Sequence, residues 1–403
     1  MKKPSLLVLF LAVFMDLVGF GIVLPLLPVY SRDFGAPGAL IGLIMASYSM
    51  MQFLCTPLWG RLSDRIGRRP VMLISTAGAT GSYALFAFGS GMAGTVALAV
   101  LLGSRIFAGL FGASITVAQA YIADITPPAE RSRRMGLIGM AFGLGFILGP
   151  AIGAFAAKKF GIRGPGFVAA ALCAVNFFLA CALLPESRKP GSESVPQRAH
   201  LSQWLHTLRA PRVGFMIGLF FLATFCFTCF ETTLGLLVDV NFHFDANQVG
   251  YLFAFAGAIG ASVQGGGIGR LVRRLGEPKL ITVSLVLVAA GLAPLPFATS
   301  LPVLLVVLAL LSIGSSLARP PIFGLISALT PESEQGATLG IAQSAGSLAR
   351  IVGPIFAASL FDLHHSWPYL ICAGIALVAA WLAWARLCRG GEGLAVGKSP
   401  DAG

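Results

Sequence analysis

The chain has 403 residues, of which 56% are hydrophobic and only 11% charged, and its mean hydropathy is +0.85. A soluble domain of this length needs far more polar surface, so a soluble enzyme is excluded and any function must reside among apolar helices. The formal charge of +12 does not indicate nucleic acid, because its placement along the chain has another explanation, given below.

Apolar runs of bilayer-spanning length, ~20 residues each, recur at about 5–30, 38–59, 70–90, 94–123, 135–157, 165–184, 212–238, 247–268, 280–299, 303–329, 337–361 and 368–388. These twelve runs predict an all-α membrane protein. The first run follows Lys2 and Lys3 but is too long for a secretory signal, carries Asp16 and lacks a small-residue cleavage site. It reads as the first span.

Between the second and third runs lies Gly60-Arg61-Leu62-Ser63-Asp64-Arg65-Ile66-Gly67-Arg68-Arg69-Pro70. Gly60 and Gly67 permit a tight link between helices. Asp64 is the one acid among four arginines, and it can accept hydrogen bonds from an arginine or from the first amides of a neighbouring helix. That makes the segment a candidate latch, formed by Gly60, Asp64, Arg65, Gly67 and Arg68.

The fourth run carries Arg105 and Gln119 and ends at Asp124; the fifth carries Gly145, Gly149, Pro150 and Gly153. Glycines four apart give a small-residue face on which membrane helices pack closely, and Pro150 bends the helix. After the sixth run, residues 185–211 hold Pro, Ser, Gly and charges and read as a cytoplasmic linker. The predicted organisation is a six-helix bundle over 1–184, this linker, a second six-helix bundle over 212–388 and a tail over 389–403.

The seventh run holds Cys226, Cys229 and Glu231, and Gln264 lies at the end of the eighth. The two cysteines read as small packing residues, because a structural metal site needs four ligands. The latch segment then returns as Gly269-Arg270-Leu271-Val272-Arg273-Arg274-Leu275-Gly276-Glu277-Pro278, without the acid. Thr126-Pro127, Gly136 and Gly149-Pro150 likewise return as Thr330-Pro331, Gly340 and Gly353-Pro354 at one constant offset. Such self-similarity marks a duplicated architecture, here two pseudo-symmetric bundles with a binding site between them. Arg319 precedes Pro320-Pro321 in the tenth run, Gln343 and Arg350 lie in the eleventh, and His364-His365 reads as a solvated loop.

With both termini placed in the cytoplasm, twenty-one of the 28 basic residues fall on that side, Arg61, Arg131, Arg188, Arg270 and Arg386 among them. This is the positive-inside asymmetry. Arg105, Arg319 and Arg350 fall inside spans, as do the acids Asp16 and Glu231. An ionisable residue at helix centre costs about 2.5–3.5 kcal/mol on insertion scales and is therefore a functional candidate. Asp16 and Glu231 occupy equivalent helices of the two halves, so both are candidates for proton carriage. The cavity candidates are Asp16, Gln119, Glu231, Gln264, Arg319, Gln343 and Arg350. Phe225, Phe227, Phe230, Phe253 and Phe255 add aromatic surface.

Gly60–Arg69 resembles the G-x-L-(A/S)-D-R-x-G-R-(R/K) signature of the major facilitator superfamily. Arg105 to Ala113 resembles its fourth-helix R-x-x-x-G-x-x-G motif, and Gly145 to Gly153 its fifth-helix antiporter motif. Asp16 to Pro28 resembles the first helix of twelve-span drug/proton antiporters, tetracycline-efflux proteins in particular. The resemblance implies the major facilitator fold and proton-coupled export of small amphipathic compounds by alternating access, with Arg105 in a proton relay and the Pro150 bend sealing the interface between the halves. Asp124 matches an acid of the tetracycline exporters. Where those exporters carry an acid in the third helix this chain has Gly81-Ser82-Tyr83; residues 280–299 hold no acid, and Gly257 to Ala261 replaces their eighth-helix histidine region. The resemblance thus covers the framework and not the substrate set. It implies no metal or other cofactor, a proton gradient as energy source, no nucleic-acid partner, a monomer, and residence in the bilayer of a bacterial inner membrane. A proton-coupled sugar or metabolite transporter and a non-transporting membrane receptor are the alternatives.

Overall fold

The computed structural model describes residues 6–126, 128–187, 207–264, 268–330 and 335–389. Lys2, Lys3, Pro127, Pro331, most of the expected linker (188–206) and all but the first residue of the tail (390–403) lie outside the described residues.

The described residues are helical. In the first half run α1 (Leu6–Val23), α2 (Leu26–Asp33), α3 (Gly38–Ile66), α4 (Arg68–Ser90), α5 (Gly94–Leu110), α6 (Ser114–Ile125), α7 (Pro128–Phe160) and α8 (Gly164–Leu183). In the second run α9 (Pro211–Phe242), α10 (Ala246–Ser262), α11 (Ile268–Leu275), α12 (Glu277–Leu292), α13 (Leu301–Ala328), α14 (Gln335–Leu363) and α15 (Trp367–Ala383). Among the described residues eleven helical segments are long and apolar enough to cross a membrane. The 17-residue α10 occupies the place of the expected eighth span.

Two expected spans are broken rather than continuous. The first is interrupted at Leu24-Pro25, between α1 and α2, where proline cannot donate to the helical ladder. The fourth is interrupted at residues 111–113, between α5 and α6. Broken backbone inside a membrane must find partners for its freed polar groups. Here Trp59 donates to the Leu110 carbonyl at 2.6 Å and Gln52 to the Gly112 carbonyl at 3.1 Å, while the Ser75 hydroxyl donates to the Phe111 carbonyl.

The latch segments show the duplication in their backbones. Gly67 and Gly276 hold equivalent positions between long helices, and both adopt positive φ, 103° and 75°. This is the left-handed region that favours glycine. Gly60 behaves otherwise than expected. It lies within the regular helix α3, six residues before its end, so the link turns on Gly67 alone.

The expected linker does not begin as free chain. Glu186 accepts the backbone N–H groups of Arg68 and Arg69 at 2.9 and 3.1 Å, and Tyr121 donates to the Pro185 carbonyl at 3.0 Å. The carboxylate caps the first turn of α4, where orphan amides and the helix dipole both favour negative charge.

The helices α3 and α14 bring the halves together, as do α7 and α10. A Cβ on Gly38 would run into the Ala358 carbonyl, and one on Gly42 would lie 2.6 Å from the Pro354 carbonyl. Gly60 sits 18 residues beyond Gly42, five turns on and on the same face. Gly340 sits 18 residues before Ala358, again on the same face. Among the described residues, neither Gly60 nor Gly340 has a neighbour within 4 Å of its Cβ position. Two helices in contact at one end have therefore parted by the other, about 27 Å further along. The halves meet at the Asp362 end and diverge toward the Asp64 end.

Candidate functional site

A polar cluster lies on the inner face of the first half. Asp16, half-buried on α1, accepts hydrogen bonds from Asn176 of α8 at 2.9 Å and from the hydroxyl of Ser114. Ser114 is the first residue of α6, so the break in the fourth span is what brings its hydroxyl to the carboxylate. Ser75 joins at 2.9 Å from Ser114, and Cys173 lies at 3.9 Å from Asp16. A hydroxyl donor and an amide donor fix the carboxylate's rotamer without neutralising its charge.

Arg105 is buried on α5, with its guanidinium 5.6 Å from the Tyr83 ring centroid and 5.5 Å from that of Phe86. Its Nη2 is buried and receives no hydrogen-bond acceptor among the described residues, and no carboxylate lies within 4 Å. Cation–π contacts hold such a charge without extinguishing it.

Across the cleft, Glu231 is buried on α9 and its Oε1 accepts no hydrogen bond from the described residues. The opposite charge acting on it is Arg350 of α14. Both residues belong to the second half. Tyr48 of α3 feels the charges of Asp16, Arg105 and Arg350 together, and it receives a hydrogen bond from Gln52 at 3.3 Å. It was not singled out from the sequence, because a tyrosine in an apolar run carries no distinguishing pattern.

The other cavity candidates separate. Arg319 of α13 donates to Gln343 of α14 at 3.3 Å. Gln119 is half-buried on α6, and Gln264 is exposed beyond the end of α10; neither joins the charged groups through a described hydrogen bond. Phe230 packs against Phe253 at 6.1 Å and against Phe227 at 5.9 Å, while Phe225 packs on Phe356 at 5.2 Å. Cys226 and Cys229 are buried, and their thiols donate to the carbonyls of Cys372 and Gly353.

At the Asp64 end, Arg68 is clamped by two acids, Asp64 at 2.6 Å and Asp124 at 3.0 Å, and by Ser63 at 2.7 Å. All belong to the first half. Arg65 occupies the last turn of α3. The small-residue face of α7 packs within its own half. Gly145, Gly149 and Gly153 pack on Leu17, Gly21 and Ile22 of α1, in the same half. The opposite side of α7 meets the second half, with Gly250 against the Pro150 carbonyl and Gly257 against that of Phe146. The three glycines thus let α7 lie flat on α1, while Pro150 faces α10.

At the Asp362 end, Arg32 and Asp362 form an ion pair at 2.8 Å between the halves, and Asp362 also accepts the Gly38 N–H at the start of α3. These residues line a cavity of about 480 Å³ with Asp239, Phe361, His364 and His365. The two histidines stack at 4.7 Å in the wall of this cavity, with His364 exposed in the loop. The clue to Asp362 in the sequence was an acid at the end of an apolar run, a weak signal.

Two helical bundles that meet at one end, with ionisable groups inside their spans and broken helices among them, define a membrane transporter. The chain belongs to the major facilitator superfamily: the profile of the Major Facilitator Superfamily matches residues 9–268 and 267–395. The tetracycline resistance protein, class C, of Escherichia coli is 32% identical over 398 residues, covering 94% of this chain and 98% of that protein. The crystal structure of the human organic anion transporter MFSD10 (TETRAN) is similar with a TM-score of 0.69 at 28% identity, over 95% of this chain and 100% of that one. A D-xylose-proton symporter shares the fold, with a TM-score of 0.77 at 17% identity over 94% of this chain and 97% of its own. The relatives are transporters, and the chain is a multi-pass membrane transporter of small molecules rather than an enzyme.

Proposed function

We propose that this transporter is a proton-coupled exporter of small amphipathic compounds. It works by alternating access between the bundles 1–184 and 212–388, as a monomer with both termini in the cytoplasm of a bacterium and without cofactor. In this reading the open Asp64 end faces the cytoplasm and the Arg32–Asp362 pair closes the outer side. Asp16 and Glu231 carry protons, with Arg105 tuning the first and Arg350 the second. Asp64, Arg68 and Asp124 hold the inner end of the first half in one shape, and exchange of these contacts accompanies closure.

The observation that carries the reading is the matched placement of Asp16 and Glu231. Each is an acid in the first helix of its half, and neither is in contact with a guanidinium within 4 Å among the described residues. Support for small-molecule export comes from the relatives, which are named for tetracycline resistance and for organic anions. The energy suffices. About 2.3 kcal/mol per charge at 100 mV and about 1.4 kcal/mol per pH unit sustain a gradient of a few hundred-fold for a neutral solute per proton.

The test follows proton release in energised inverted vesicles on addition of amphipathic compounds. Collapse of the pH gradient by one chemical class, lost in Asp16→Asn and in Glu231→Gln, is the expected result. A neutral variant at either position that still exchanges protons for substrate removes that residue from the coupling.

A further inference from the structure

Arg319 differs from the other cleft cations. Its guanidinium lies over two phenylalanine rings, 5.8 Å from the centroid of Phe220 and 5.6 Å from that of Phe323. Those rings meet edge to face at 4.9 Å, and Phe220 is buried against Gly346 of α14. The charge is thus held in place from below by a fixed aromatic platform. One donor reaches the Gln343 amide oxygen at 3.3 Å. Yet Arg319 is exposed, and no carboxylate lies within 4 Å of it among the described residues.

A guanidinium carries five N–H donors in a planar fork, and Gln343 accounts for one. The charge of Arg350 acts on Arg319 and has the same sign. Two neighbouring cations repel, and an anion bound between them relieves that repulsion. The position along the helix suits a first point of contact. Arg319 is nine residues, about 14 Å, from the open end of α13, whereas Arg350 lies deeper, midway along α14. Phe323 is half-buried, which leaves apolar surface beside the charge for the hydrocarbon part of a ligand.

We propose that Arg319, set by Phe220, Phe323 and Gln343 and seconded by Arg350, is a recognition site for the carboxylate or other oxyanion of an amphipathic substrate. The inference rests on the transport reading above and gives it a substrate class. Arg319 makes the bidentate contact, since its fork matches an oxyanion in a way that lysine does not. Gln343 fixes the fork's orientation.

The experiment measures binding to the purified full chain in lipid nanodiscs, without a proton gradient. It uses three probes on one pyrenylbutyl frame that end in a carboxylate, a carboxamide and a trimethylammonium group. The carboxylate binds most tightly to the wild type. Arg319→Gln weakens it about tenfold or more while moving the carboxamide less than about twofold, and Arg319→Lys retains part of the preference. Equal weakening of all three probes in Arg319→Gln, or a wild-type preference for the ammonium probe, overturns the proposal. Outcomes in vesicles are separable. Carboxylate binding that depends on Arg319, with no proton exchange on transport, sustains this site and overturns the proton-coupled reading. Proton exchange driven by the ammonium probe alone does the reverse.

Discussion

The two ends of the molecule use the same chemistry for different purposes. At the Asp362 end a carboxylate takes an arginine and the first amide of a helix from the opposite half. At the Asp64 end the acids Asp64, Asp124 and Glu186 take an arginine and the first amides of a helix from their own half. One set ties the bundles together, and the other stiffens a single bundle. The difference teaches that an acid–arginine–amide motif is a gate only where it spans the cleft. In a rocking mechanism the inner set must therefore either stay intact throughout or exchange partners with the second half on closure.

The comparison can be broken most severely at Arg68. It is buried between two acids, and Arg68→Ala leaves them facing each other, an expected loss of about 2–4 kcal/mol. The loss is measured as a fall in thermal unfolding temperature in nanodiscs, and an unchanged temperature sinks the stiffening role. Next comes Gly42, where α3 meets α14. A valine there has no room against Pro354 and Ile355, so Gly42→Val destabilises closure of the Asp362 end by about 1–3 kcal/mol. Labels on the two halves at that end should report a wider separation. Asp362→Asn has a smaller effect. The ion pair is about a third exposed, so its loss costs about 0.2–1 kcal/mol and shifts the same separation slightly. Smallest of all is removal of the seven cysteines. Cys226 and Cys229 only donate to nearby carbonyls, and a cysteine-free protein should transport at close to the wild-type rate; loss of activity from Cys226→Ser plus Cys229→Ser alone would revive a metal or redox role.

Much of this was legible in the sequence, for physical reasons. Bilayer thickness fixes the length of apolar runs, so the spans were visible. Glycine is favoured where φ is positive, so Gly67 and Gly276 marked the repeated turn. Ionisable residues are rare in spans, so Asp16, Glu231 and the three arginines stood out. What was hidden depends on tertiary contact. Nothing local announces that Phe111–Ala113 interrupts the fourth span, since the interruption is sustained by Trp59, Ser75 and Gln52 from other helices. Asn176 and Ser114 are common residues until α1 places a carboxylate beside them. Gly60 misled because its motif neighbours are in a turn, whereas its own place is inside α3. The face of α7 that carries Gly145 pointed to close packing but could not say against which helix.

The most direct test of the account measures distances at both ends as pH changes. In the cysteine-free protein, spin labels at Arg61 and Arg270 report one end and labels at Met92 and Phe297 the other, all at exposed positions. The account predicts that acidification redistributes the two pairs in opposite senses, one closing as the other opens, and that Asp16→Asn with Glu231→Gln abolishes the response. A double variant whose distances still follow pH as the parent's do would contradict it, because the protons that drive the change would then bind elsewhere.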